Sequence, residues 1–468
     1  MANAALRAEL HDVSFSIREL QWRLKNVQTR LDPTTYPVLT LPPEITSEIF
    51  LRCLPKTREL DVVNPREAPL LLTHVCSAWR QIACSTPRLW TTFYITEKHG
   101  YLDDLANIAE TWFTRAGKCA LSVKFHGSVT NETDFVSLLP GLRRHAREVR
   151  SLELNADVSD LVMMNPPLEC VSLQKLTIGV LGGLEDLPEY SPLEMFTNGV
   201  PLLREVLMRT APPSFLALPW QQLTKFAGEM YTVGSCLEAL RAMPNLTECA
   251  FAAYYRADDA EMVYHPNIQH FTLFGRGSGF VSDATNARIL AHITLPALRT
   301  LEIKDVHDFN QWTLDSFLIR SAARLWRLVV RPWDMSSSIQ LQLSAPFMAL
   351  PLTELEIWHP SDLDVFLAAF FKAIAQDVNT LPSLRSLSFR GCDRVKGGIA
   401  VDAIIGIAAV PITQRRHLAG CAQLQSFHVV SKTHPEVSVY AEARLLPFRE
   451  LKEAGMDIYI GSEEESVV

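Results

Sequence analysis

From Leu6 to Leu31 apolar side chains recur at alternating steps of four and three: Leu6, Leu10, Val13, Ile17, Leu20, Leu24, Val27 and Leu31. That alternation is a heptad seam along one helical face, so residues 1–32 are expected to form an amphipathic helix. Its mixture of Leu, Ile and Val specifies no oligomeric state, and the flanking Ser14, Ser16, Gln21 and Gln28 offer poor charge pairing. Phe15 and Trp22 form a second stripe on another face, which a two-stranded coil would leave in water. A helix docked along its own chain and a dimerising coil both satisfy the seam; the second stripe makes packing within the chain the expectation. Asp32-Pro33 ends the helix, because proline cannot continue the ladder.

The pattern then changes to short helices, within residues 37–95. In "LPPEITSEIFLRCLP", Pro42 and Pro43 stand where a helix starts, Glu44 suits the first turn, and Ile45, Ile49, Phe50 and Leu54 read as one apolar face before Pro55. After a polar loop, Leu71, Leu72, Val75, Trp79, Ile82 and Ala83 recur at helical spacing. Thr86-Pro87 predicts a cap and first position for a very short helix ending at Leu89-Trp90, and "FYIT" reads as extended. So small a unit buries a poor fraction of its surface. A metal, disulfides or a partner would be the remedy. His74 and Cys76 lack the further ligands of a zinc set, and nothing near Cys76 or Cys84 supplies a base for a thiol nucleophile. A partner surface is the better reading.

From about residue 115 a third pattern repeats. Val149-x-x-Leu152-x-Leu154 recurs as Leu173/Leu176/Ile178, Leu203/Val206/Met208, Leu246/Cys249/Phe251, Ile268/Phe271/Leu273, Leu298/Leu301/Ile303, Leu325/Leu328/Val330, Leu352/Leu355/Ile357, Leu384/Leu387/Phe389 and Leu424/Phe427/Val429, with a weak copy at Leu223, Phe226 and Gly228. Most intervals lie near the 20–29 residues of leucine-rich repeats. Each turn supplies one short strand that cannot bury its apolar side alone, so turns must stack. The Asn or Cys usual after the strand is mostly absent, which predicts an irregular solenoid with uneven outer helices, one of them "DLDVFLAAFFKAIAQDV" from Asp362. A plain α/β sheet of parallel strands would show similar alternation; the near-constant motif favours the solenoid.

Composition narrows the function classes. The 468 residues carry 44 basic against 52 acidic side chains, a net charge of −8, which gives no global case for nucleic acid. Nine scattered cysteines without a C-x-x-C pair suit a reduced, intracellular protein, cytoplasmic or nuclear. The N-terminus lacks the apolar block of a signal peptide, and no uncharged stretch is long enough to span a membrane. "GRGSGF" from Gly275 lacks dinucleotide, P-loop and nucleophile-elbow spacing. No catalytic set, metal site or cofactor motif is evident. Residues 456–468 read as a terminal strand and a flexible acidic tail.

The stretch "LPPEITSEIF…CLP…LLLTHVCSAWRQIA…TPRLWTTF", Leu39 to Phe93, resembles the F-box in the form common in large fungal families. The match runs through Leu41-Pro42, Glu44-Ile45, Glu48-Ile49-Phe50, Val75-Cys76, Trp79-Arg80 and Leu89-Trp90. The sequence departs from the shortest F-boxes in the loop from Lys56 to Pro69. The upstream helix and "LANIAETWFTRAGKCALSVKF" downstream are also similar to these proteins. The resemblance together with the repeats implies an α/β architecture: an N-terminal helix, a small three-helix F-box, and a linker helix with an irregular leucine-rich-repeat solenoid over 96–455, its parallel strands on the concave face. It implies a non-enzymatic adaptor. The F-box would dock the Skp-type subunit of a cullin–RING ubiquitin ligase through Leu41, Pro42, Ile45, Ile49, Val75 and Trp79, and the repeats would hold a protein substrate. An interaction scaffold without ligase function is the alternative, and an enzyme using one of the 13 histidines a third.

Along each repeat strand, side chains alternate, so the residues before, between and after the second and third apolar positions are expected to face outward. The later repeats then present Thr300, Glu302, Lys304, Arg327, Val329, Arg331, Glu354, Glu356, Trp358, Ser386, Ser388 and Arg390. Lys304, Arg327, Arg331, Trp358 and Arg390 are the candidate substrate-binding residues, suited to an acidic or phosphorylated segment. Pairing of the arginines with Glu302, Glu354 and Glu356 on neighbouring turns is the competing expectation.

Overall fold

A computed structural model describes residues 2–31, 41–55, 64–96, 104–127, 132–181, 192–197, 199–253, 261–275, 285–306, 309–332, 339–340, 344–358, 364–392, 401–431, 442–462 and 466–468. The "YPVLT" lead-in, most of the loop after Lys56 and all of "GRGSGF" beyond Gly275 lie outside these residues. The chain divides into two compact units, Met1–Ile95 with Asn107–Leu121 and Thr96–Ala106 with Ser122–Val468.

In the first unit the heptad pattern forms one helix, Ala2–Leu31. It does not pack as expected. Leu10, Val13, Ile17, Leu20, Leu24 and Val27 are 50–71% exposed, and Phe15 and Trp22 exceed 60%. The core closes without it. Helix Pro43–Arg52 starts on the two prolines and buries Thr46 and Phe50. The expected single face of Ile45, Ile49 and Phe50 is split: Ile45 and Ile49 point outward, because each residue turns the helix by about 100°. The next apolar run is two helices, Leu70–Val75 and Ser77–Cys84, rather than one. Cys76 is extended between them, and its Sγ accepts from Trp79 N–H at 3.5 Å, capping the second helix. Arg80 Nε donates to Thr73 O at 2.7 Å across the break. Thr86 occupies the expected cap position of the Pro87–Trp90 turn, but its hydroxyl donates back to Ile82 O at 2.7 Å.

Trp90 is fully buried and its Nε1 donates to Ala83 O at 2.9 Å. Trp112 meets it edge-on at 4.8 Å, Phe113 meets Phe93 at 5.1 Å, and the Arg115 guanidinium lies 4.4 Å over the Trp90 ring. Trp112, Phe113 and Arg115 come from helix Leu105–Ala116, the expected linker helix beyond the boundary at residue 95. By packing, residues 107–121 belong with the first unit. The shortage of apolar partners in the three short helices is met by a later segment of the same chain.

The second unit is an α/β structure built on a long parallel sheet. After strand Leu121–His126, its strands are Val149–Ala156, Lys175–Val180, Glu205–Arg209, Lys225–Tyr231, Glu248–Ala253, His270–Phe274, Thr300–Val306, Arg327–Pro332, Glu354–Trp358, Ser386–Arg390, Ser426–Ser431 and Asp457–Ser462. They pair in chain order, and every register is in phase with the motif: Leu152, Leu176, Val206, Phe226, Cys249, Phe271, Leu301, Leu328, Leu355, Leu387, Phe427 and Ile458 lie side by side. All are buried, as are the third-position residues two further on. The weak copy has a reason. Gly228 replaces an apolar side chain because Tyr231 and Phe251 fill the space; a Cβ there would meet their rings at 2.9–3.0 Å. The bulge between Glu229 and Tyr231, with Met230 at φ 61, turns Tyr231 inward. The tail also differs from expectation. Val467 N–H donates to Ile460 O at 2.7 Å and Ser466 bridges Gly461, so the chain folds back on the last strand. That gives an otherwise open sheet edge hydrogen-bond partners.

Behind the sheet, helix Asp364–Gln376 matches the expected outer helix. Its C-terminal end is held by Arg415, which is fully buried on helix Val401–Arg416. The guanidinium donates to Ile374 O at 3.0 Å, Thr380 O at 3.2 Å and Leu381 O at 2.7 Å. Leu381 has φ 44, a conformation costly for a branched side chain, so these bonds hold a strained turn. Arg415→Met is expected to strand those carbonyls and destabilise the second unit by about 3–5 kcal/mol. A thermal midpoint within a degree or two of wild type would contradict this role.

Candidate functional site

The six residues expected to form the partner surface do not share one environment. Leu41, Pro42, Ile45, Ile49 and Val75 are exposed, and Leu71, one turn before Val75, joins them. Ile45 and Ile49 stand one turn apart on helix Pro43–Arg52, with Leu41 just before its start, and Leu71 and Val75 form a second such step. Trp79 is half-buried instead: its ring lies 4.9 Å from Phe50, and its Nε1 is buried without a hydrogen-bond partner. Trp79 therefore supports the helix that carries Ile45 and Ile49. Arg88 and Glu48 pair at 2.7 Å on the surface and tie the Pro87–Trp90 turn to that helix. Exposed apolar residues in repeated helical steps are suited to desolvated contact with another apolar surface.

In the second unit the structure brings the later candidate residues together. Arg327 lies 2.8 Å from Glu354, 3.4 Å from Glu356 and 3.9 Å from Glu302. Lys304 pairs with Glu302 at 2.5 Å, and Arg390 Nε approaches Glu356 at 3.4 Å. Trp358 Nε1 donates to Glu356 at 2.6 Å, while the Arg331 and Arg390 guanidinium carbons lie 5.0 and 5.7 Å from its ring centroid. Glu356 is thus shared by two arginines and a tryptophan, and Arg327 by three carboxylates. Thr300, Val329 and Ser388, expected to face solvent, are buried in this layer because the longer neighbouring side chains cover them. The cluster is an organised ionic surface with an aromatic centre. It suits a partner that exchanges one carboxylate for another or covers Trp358.

Three features were not legible as sites. In the earlier half, Glu153 receives His126 at 2.9 Å, Arg209 at 3.5 Å and Lys124 at 3.6 Å. Arg209 also bonds Glu229 at 3.0 Å. The His126 hydrogen bond, then the Lys124, His126 and Arg209 charges, hold the Glu153 carboxyl down to about 2 against the opposing effect of burial. Between the two ionic clusters lies a groove of about 190 Å³ over Leu207, Ala227, Ala250 and Thr272, edged by the Lys225–Glu248 ion pair. Alanines at outward strand positions were the signal for it. Third, Ser426, His428 and Asp457 meet at one end of the sheet. His428 Nε2 is 3.1 Å from Ser426 Oγ and 2.9 Å from Asp457, and Ser426 lies 3.3 Å from the same carboxylate. A nucleophile relay needs the serine and the acid on opposite ring nitrogens. Here one nitrogen serves both, so the cluster is a polar clasp between adjacent strands.

Among the described residues, no cluster of three His, Cys, Asp or Glu side chains is placed to hold a metal ion, and Cys76, the nearer candidate, is committed to capping. Among the same residues no helix is long and apolar enough to cross a membrane. No protein-family model matches this chain, and no curated protein matches it. The geometry of its own surfaces therefore carries the functional argument.

The Glu153 cluster has a pH signature. Its folded-state value lies below the ordinary 4.5, so its contribution is complete above about 4.5 and is lost as pH falls towards 2. Glu153→Gln is expected to cost about 2–3 kcal/mol at pH 7 and progressively less in acid. Thermal midpoints of both proteins between pH 7 and 2.5 test this; a gap that stays constant would contradict it.

Proposed function

We propose that the protein is a substrate-recognition adaptor of a Skp–cullin–F-box ubiquitin ligase. In this reading the first unit is an F-box and the second an irregular leucine-rich-repeat array. The observation that carries it is the exposure of Leu41, Ile45, Ile49 and Val75, apolar residues at the matched motif positions, on a unit whose own core is already closed by Phe50, Trp90, Phe93 and Trp112. A self-sufficient domain gains nothing from leaving those side chains in water; a ligase subunit covering them would release that water. The protein itself performs no chemistry. It raises the effective concentration of a bound substrate beside the charged conjugating enzyme.

The repeats are the substrate-binding part in this proposal. The Trp358 surface, with Arg331 and Arg390 against the ring, combines the two residue types most enriched at binding hot spots. Guanidinium groups also donate paired hydrogen bonds to a carboxylate or phosphate, which favours an acidic or phosphorylated segment.

Two measurements test these parts separately. Leu41→Ala with Pro42→Ala should weaken capture of a purified Skp-type subunit at least about 30-fold, as expected when anchors worth about 2 kcal/mol are truncated. Unchanged capture, with an unchanged melting profile, would reject the ligase role and leave an interaction scaffold. For the repeats, Arg331→Glu, Arg390→Glu and Trp358→Ala are combined, and the partners captured by full-length wild type and variant are compared by mass spectrometry. Loss of a subset is expected. An identical set would remove this surface as the substrate site.

A further inference from the structure

The N-terminal helix presents an apolar seam that its own unit does not cover. Over 30 residues it runs about 45 Å, and Leu10, Val13, Ile17, Leu20, Leu24 and Val27 hold strict heptad positions while at least half exposed. A single helix of this kind in water is marginal, since most helical stability comes from packing its apolar face. A repeat of 3.5 residues stays in line only against another helix that winds around it.

We propose that this seam pairs with the same seam of a second copy of the chain. Three observations single out that occupant. First, the stripe is narrow: Ser14, Ser16, Gln21 and Arg23 flank it, so only the two apolar heptad positions are covered by a neighbour, the geometry of two strands rather than three or four. Second, three of those four flanking residues are uncharged, and Arg23 is held by Glu19 of its own helix at 2.7 Å, so identical copies meet without like-charge opposition. Third, the area suffices. Six seam side chains at about 100 Å² each present roughly 600 Å² per helix, and two copies bury on the order of 1,200 Å², the size at which specific interfaces begin. Phe15 and Trp22 lie on the opposite face and stay outside this contact, as they do in the single chain. Dimerisation gives one assembly two copies of every other surface, which raises avidity for a partner with two recognition segments whatever that partner is.

The test uses the full-length chain. Two differently tagged copies are co-expressed, one tag is captured, and the other is scored, while sedimentation gives the mass at micromolar concentration. Wild type should co-capture and sediment at twice the chain mass, with little dependence on salt. Ile17→Asp with Leu24→Asp should abolish co-capture and halve the mass, while the melting transition of the remaining structure is unchanged. Phe15→Ser with Trp22→Ser should remain dimeric. To separate loss of pairing from loss of helix, Ile17→Ala with Leu24→Ala keeps helix-forming residues and should still weaken co-capture about tenfold or more. A wild-type monomer, a dimer that survives the aspartate pair, or dissociation by the Phe15 and Trp22 pair alone would each overturn the proposal. Because no ligase subunit is present, failure here leaves the adaptor reading untouched, and the converse also holds.

Discussion

Parallel pairing of the motif strands in constant register is the constraint on which the second unit depends. Each strand is short, and its two inward side chains make an apolar surface too small to fold alone. Placing Leu152 beside Leu176, and so on to Ile458, turns twelve such surfaces into one continuous core. Slipping one strand by a residue would send its inward pair to the solvent face and bring its charged neighbours inside. The register therefore fixes the other face as well. Glu302, Val329, Glu356 and Ser388 are brought into line by the same pairing that aligns the leucines.

That coupling explains why the ionic clusters form. Outward residues on adjacent strands stand within reach of one another, and opposite charges there stabilise the sheet modestly. Lys175 with Glu205, Lys225 with Glu248 and Arg327 with Glu354 are such cross-strand pairs. Where long side chains converge, as at Glu356 or Glu153, they bury one another and the layer becomes half-dry. Where alanines replace them, as at Ala227 and Ala250, the layer opens into a groove. The binding character of this face is set by side-chain length at fixed register positions.

The first unit obeys a different constraint. Its short helices cannot enclose Trp90 and Phe93 by themselves, and the helix carrying Trp112 and Phe113 completes the enclosure. Once those aromatic rings are shut in, Leu41, Ile45, Ile49 and Val75 have no place inside. Their exposure follows from the closed core, and so does that of the N-terminal seam.

The sequence by itself determined the repeat strands, their inward residues and the prolines that start helix Pro43–Arg52, because a period of two and a fixed φ are local properties of the chain. It also marked the N-terminal helix, though not where its faces lie. Only the tertiary structure decided that Cys76 breaks an apparent helix, that residues 107–121 join the first unit, that Arg415 sits buried beneath three carbonyls, and that Arg327 and Arg390 face carboxylates on neighbouring strands. The break at Cys76 rests on contacts three and seven residues apart, and the other three depend on groups far apart in the chain that meet only after folding. An arginine in a pattern of polar residues looks the same whether its partner is water, a backbone carbonyl or a glutamate 29 residues away.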